Sequence, residues 1–188
     1  MTTRFSTQAK ALLGVVGVVG GGGCLWRAWN VRNQNNNHFA LTDDQVKFYV
    51  DNGYLLVPRL LTQTECHEIS SEMDRLLQSQ CKVVPTYKVL SIIQPQDSSA
   101  VIKQYMSHDK IVNILKDITG AHLAHWDHGV KVFQSMLFIK PPGFPGQAYH
   151  QDELYLPTRD RSLTAIWIPL EDVSVENGCL WVVPGSHR

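Results

Sequence analysis

The chain reads as an α+β protein, helices first and strands after, on three observations. Capping signatures and 3.6-residue apolar spacing mark helices in the stretch up to Gly120. Beyond Gly120 the apolar residues gather into short runs rich in β-formers. Between those runs stand Pro- and Gly-rich turns that no helix could cross, so the strands read as half of a sandwich or barrel.

The first 40 residues stand apart. No Asp or Glu occurs before Asp43, whereas Arg4, Lys10, Arg27 and Arg32 do. Between Lys10 and Arg27 lie 16 uncharged residues, ALLGVVGVVGGGGCLW, six of them Gly. As a helix they would span about 24 Å, short of a hydrocarbon core of roughly 30 Å. A tilted membrane anchor through residues 11–26, a signal core, an organellar presequence and a Gly-rich leader all fit. Residues 1–32 therefore suggest a membrane-anchored or mitochondrial location, and otherwise a cytoplasmic one. NQNNNHFA reads as a polar linker, so the division is a leader and linker over 1–40 and a domain over 41–188.

Thr42-Asp-Asp-Gln45 is a capping box that opens a short helix, and Asn52-Gly53 stops it. Thr62-Gln-Thr-Glu65 opens a second, running to about Ser79 with Cys66, Ile69, Met73, Leu76 and Leu77 on one stripe. Residues 81–105 give no clear signal beyond VLSII as a short strand. SHDKIVNILKDITG is a third helix, with Ile111, Leu115 and Ile118 inward and Gly120 as its stop. Strands are expected over 131–140, 148–154, 163–170 and 179–183, with hairpin chemistry at Glu176-Asn177-Gly178.

Composition narrows the function. Lys+Arg and Asp+Glu are 17 each, so the zero net charge gives no electrostatic case for nucleic acid. The four cysteines are scattered without a C-x-x-C pair, which suits free thiols rather than disulfides or a zinc site.

Two His-x-Asp pairs remain. On a strand, residues i and i+2 share a face, so His150 and Asp152 could reach one ion together. A third ligand would complete the two-His, one-carboxylate triad of non-haem Fe(II). The denser HLAHWDH holds His122, His125, Asp127 and His128, but histidines three apart alternate faces on extended chain. In a chain with eight His, periodicity alone does not separate the two.

Several pieces together resemble the phytanoyl-CoA dioxygenase family of Fe(II)/2-oxoglutarate oxygenases. DNGYLLVPRLLTQTEC is similar to its N-terminal signature, SMLFIKPPGFPGQAYHQDELYLP to its metal segment, and IWIPLEDVSVENGCLWVVPGSHR to the strands that follow. The resemblance implies helices packed on a partial double-stranded β-helix, or jelly roll. It implies that His150 and Asp152 are catalytic iron ligands, and that Met136 and Trp167 line the 2-oxoglutarate pocket. Fe(II), 2-oxoglutarate as co-substrate, O₂ and a supportive ascorbate are the implied cofactors. The implied reaction couples decarboxylation of 2-oxoglutarate to hydroxylation of a small organic or acyl-type substrate. The family's distal His and its 2-oxoglutarate Arg lie beyond PGSH, so the chain is expected to be C-terminally truncated. His187 belongs to the PGSHR turn rather than to the distal position. Arg159, Arg161, Lys131 and Lys140 are candidate cations for a carboxylate, but none matches the family Arg. The alternative is an inactive or non-catalytic binding or scaffold form of the same fold.

Overall fold

The first helix, α1 (Asp43–Asn52), begins where the sequence puts it, and both halves of the capping box form. Gln45 N donates to Thr42 Oγ1 at 3.2 Å, and Thr42 N donates to Gln45 Oε1 at 2.9 Å. It ends at Gly53, whose φ of 79° lies in the left-handed region and whose N–H donates to Tyr49 O. In this computed structural model the described residues are 9–17, 39–81, 91–123, 129–140, 143, 145–158 and 160–188.

The second capping box opens α2 (Gln63–Cys81), with Glu65 N on Thr62 Oγ1 at 3.2 Å and Thr62 N on Glu65 Oε2 at 2.6 Å. The Thr62 N–H and hydroxyl hold the Glu65 carboxyl below its ordinary range. A third helix, α3 (Ala100–Met106), lies in the stretch that carried no clear signal; Ser99 caps it by accepting from Ile102 N at 3.2 Å.

The next helix, α4 (Asp109–His122), runs past Gly120, which the sequence had as its stop. Glycine ends a helix by taking a positive φ, and Gly120 is not among the glycines that do. The helix closes one turn later, with Leu123 N on Thr119 O at 2.8 Å.

Four strands form one antiparallel-paired sheet: β1 (Ala9–Gly17), β2 (Ser91–Ile93), β3 (Lys131–Lys140) and β4 (Thr164–Pro169), in the order β2-β3-β1-β4. Ala9–Gly17, inside the stretch set apart as a leader, thus pairs with β3 and β4 at once. No helix among the described residues is long and apolar enough to cross a membrane, and residues 18–26 of the expected anchor over 11–26 lie outside the described residues.

One sheet face packs on the helices. Ile92, Leu137 and Ile139 join Ile69, Met73, Leu76, Leu77, Ile102 and Tyr105 in one core. Ile166 and Ile168 of β4 pack against Ile111 and Leu115 of α4. A smaller cluster of Leu41, Val46, Ile114 and Ile118 joins α1 to α4, and Leu41 N donates to Asp117 Oδ2 at 2.8 Å. The α+β class therefore holds, as helices on one face of a small sheet.

Two expected strands do not form. Residues 148–151 are irregular and Asp152–Leu154 is a 3₁₀ turn. Residues 179–183 run without a strand partner, and Leu180, Trp181, Val182 and Val183 are exposed. Apolar β-formers become a strand only where a neighbour takes their backbone hydrogen bonds. The expected hairpin at Glu176-Asn177-Gly178 is instead a local turn: Ser174 N donates to Asn177 Oδ1 at 2.7 Å, and Ser174 O accepts from Gly178 N and Cys179 N.

Candidate functional site

His150 and Asp152 converge, though not as strand neighbours. Gln151 between them is extended, with φ −109° and ψ 125°, and Asp152 begins the 3₁₀ turn. An extended residue sends its two neighbours' side chains to one side, which is the i, i+2 relation without a sheet. His150 Nε2 lies 3.4 Å from Asp152 Oδ1, and the side chains are 35% and 34% exposed. Neither side chain is buried.

The ring is oriented by the backbone. His150 Nδ1 lies 2.8 Å from Ala148 O, a carbonyl that can only accept, so Nδ1 carries the proton. In the neutral ring this leaves the Nε2 lone pair beside the Asp152 carboxylate, the tautomer a metal-binding histidine needs. The edge of Tyr155 fixes the ring further, with centroids 5.7 Å apart and planes at 75°. The donor set, one imidazole nitrogen and one carboxylate oxygen, fits half of a facial Fe(II) site. Among the described residues no group of three His, Cys, Asp or Glu gathers to hold a metal.

Two residues absent from the expected site support it. Gln151 turns away from the pair and donates from Nε2 to Ser186 O at 2.9 Å. Ser186 sits in the PGSHR turn, which docks on the end of α1: Gly185 N donates to Asn52 O at 2.8 Å, and His187 Nε2 lies 3.0 Å from Val50 O. His187 is therefore committed to the end of α1. Glu153 accepts at Oε1 from Thr158 N and Oγ1, both at 2.6 Å, and at Oε2 from Leu163 N at 3.3 Å. Neither Gln151 nor Glu153 stood out in the sequence, because their partners lie 35 and up to 10 residues away.

Met136 and Trp167 share a row of the sheet. Both are register partners of Leu13, so they lie two strands apart on one face. That face is opposite the one carrying Leu137 and Ile139 into the helical core. Of the other expected residues, His122 is exposed at the end of α4, while His125, Asp127, His128 and Arg159 lie outside the described residues. Arg161 and Lys131 are exposed, and the Lys140 stem lies over Gly178. Cys66 and Cys179 are free thiols, and burial pushes the Cys66 thiol up.

Comparison with known proteins points one way. The family model described as Phytanoyl-CoA dioxygenase (PhyH) matches residues 49–188. The chain is similar to a phytanoyl-CoA dioxygenase of Arabidopsis thaliana, 27% identical over 187 residues, covering 79% of this chain and 66% of that one. It is 26% identical to the peroxisomal phytanoyl-CoA dioxygenase of Bos taurus over 176 residues, 82% of this chain and 50% of that one. The human peroxisomal protein is 25% identical over 170 residues, 79% and 48% of the two chains. The chain thus spans about half to two thirds of the length of these relatives. No solved structure matches it significantly.

Proposed function

The chain belongs to the phytanoyl-CoA dioxygenase family, and on that premise we propose that it is built for Fe(II)- and 2-oxoglutarate-dependent oxygenation of a small organic or acyl-type substrate. The observation that carries this reading is the committed Nδ1–H of His150, which leaves the Nε2 lone pair 3.4 Å from Asp152 Oδ1. His150 and Asp152 would hold the iron. Bound with 2-oxoglutarate and O₂, Fe(II) supplies the oxidising chemistry that hydroxylates a C–H bond.

The rest is the work of the chain. The Ala148 carbonyl keeps the Nδ1 proton in place, so the ring presents one fixed donor. Asp152 supplies negative charge beside that donor, which favours a cation between them. Met136 and Trp167, on one row of the sheet, would form the apolar wall against which 2-oxoglutarate lies. β3 and β4, held one strand apart, would be part of a double-stranded β-helix. Residues 41–188 carry all four of these side chains.

Release of succinate from 2-oxoglutarate, dependent on Fe(II) and supported by ascorbate, tests the reading. It should be lost in H150A and in D152A, and release that persists in H150A would overturn the assignment. One observation favours a second reading, a binding or scaffold form of the same fold: the pair has no third ligand among the described residues. Fe(II)-dependent succinate release abolished by H150A would rule that out.

A further inference from the structure

Alternation governs the segment from His150 to Glu153. His150 and Asp152 face one another, while Gln151 and Glu153 turn into the scaffold. The two anchors differ. Gln151 makes a neutral bond to an exposed turn, whereas Glu153 brings a carboxylate to Thr158 N, Thr158 Oγ1 and Leu163 N. Thr158 Oγ1 in turn accepts from Ser162 N at 2.9 Å, and Ser162 is 5% exposed. Glu153 therefore ties Thr158 and Leu163 together, and β4 starts at Thr164. Bonds to an ionised acceptor are roughly twice as strong as neutral ones, so this is the firmer anchor.

We propose that Glu153 is a positioning residue: through Thr158 and Leu163 it fixes the backbone that turns the Asp152 carboxylate toward His150, and it is not itself a metal ligand. The inference rests on the proposed metal role of the pair. Without Glu153 the 3₁₀ turn would lose its tether to the start of β4, and Asp152 would sample orientations in which it no longer shares an ion with His150. Outer partners of metal ligands are typically worth about 10–100-fold in affinity.

The test is Co(II) titration of the full chain, followed by visible absorption, alongside thermal melting. Glu153→Ala should weaken Co(II) binding about 10–100-fold at temperatures where the protein is fully folded. Glu153→Gln keeps one carbonyl acceptor for Thr158 but sets an amide N–H₂ against another donor, and should fall between wild type and Ala. Thr158→Val removes the hydroxyl, with its donation to Glu153 and its acceptance from Ser162 N, but keeps the Thr158 N–H on Glu153, and covers the case in which Glu153→Ala does not fold; it should cost several-fold. Unchanged affinity in Glu153→Ala, or in Thr158→Val if that is the variant that folds, would overturn the proposal. So would binding abolished alike in Glu153→Ala, Glu153→Gln and His150→Ala while Thr158→Val binds normally, which would make Glu153 a ligand. His150→Ala binding Co(II) as tightly as wild type, or a wild type that takes up none, would instead remove the pair's metal role and the proposal with it.

Discussion

A carboxylate's role is set by what reaches it, and three acids of this chain show the range. Asp152 has His150 Nε2 at 3.4 Å and is not buried; Glu153, one residue on, is filled by loop donors. Glu72 is a structural acid: Arg75 Nε and Nη2 donate to it at 2.7 and 2.6 Å, and the Ser99 hydroxyl donates as well. The Arg75 bonds, with help from Ser99 and against partial burial, hold the Glu72 carboxyl at about 2 rather than 4.5. Its contribution to stability is therefore present above pH 4.5 and is lost as the pH falls from there through about 2. E72Q should melt lower than wild type at neutral pH and lose less on acidification across that window. Melting temperatures of the two proteins from pH 6 to pH 2 check this; parallel curves would show that Glu72 plays no such part. The His-x-Asp pair was legible because both partners lie within three residues. The tether at Glu153 and the docking of His187 were not, since each joins residues that only the fold brings together.

The starts of α1 and α2 were legible, as were the bounds of β3; the start of α3 and the other element boundaries were much less so. A start is written in a local code, Thr42 with Gln45 and Thr62 with Glu65, and both boxes form. An end depends on what comes next: Gly53 stops α1 and Gly120 does not stop α4. Gly53 takes a positive φ and Gly120 does not, and the PGSHR turn packs on Gly53. A Cβ built there would lie 2.3 Å from His187 Nδ1, so the PGSHR turn reaches the end of α1 only because residue 53 has none. G53A should thus be destabilised twice. The left-handed φ costs an L-residue about 1–2 kcal/mol, and displacing His187 forfeits the contact with Val50 O besides. Urea unfolding of G53A, H187A and the double variant separates the two. In the H187A background the cost of G53A should shrink to the backbone part, and strict additivity would show that the turn does not depend on this close approach. The strands expected over 131–140 and 163–170 do form, as Lys131–Lys140 and Thr164–Pro169, whereas 179–183 has β-forming side chains but no neighbouring strand among the described residues to accept it.

At the scale of the molecule, the sheet depends on its N-terminal strand. β3 and β4 are each antiparallel to β1 and so run parallel to each other, with β1 between them. Adjacent strands lie about 4.8 Å apart, so without β1 a gap of one strand would separate Met136 from Trp167. Closing it would mean re-pairing β3 with β4 directly, against the positions that Leu137, Ile139, Ile166 and Ile168 already hold in the helical core. Leaving it open would strand two rows of backbone N–H and C=O groups. Either course is costly, which sets this arrangement against the reading of residues 1–40 as a leader outside the domain. Removing residues 1–20 should lower the melting temperature by about 10 °C or more, given that each kcal/mol lost is worth roughly 2–4 °C in a chain of this size. Amide exchange should rise along β3 and β4 together while α2 and α3 stay protected, because those helices keep their own packing in the core. An unchanged melting temperature would return residues 1–40 to the role of a dispensable leader. Protection lost evenly over the whole chain would show instead that sheet and helices unfold as one unit, with β1 its keystone.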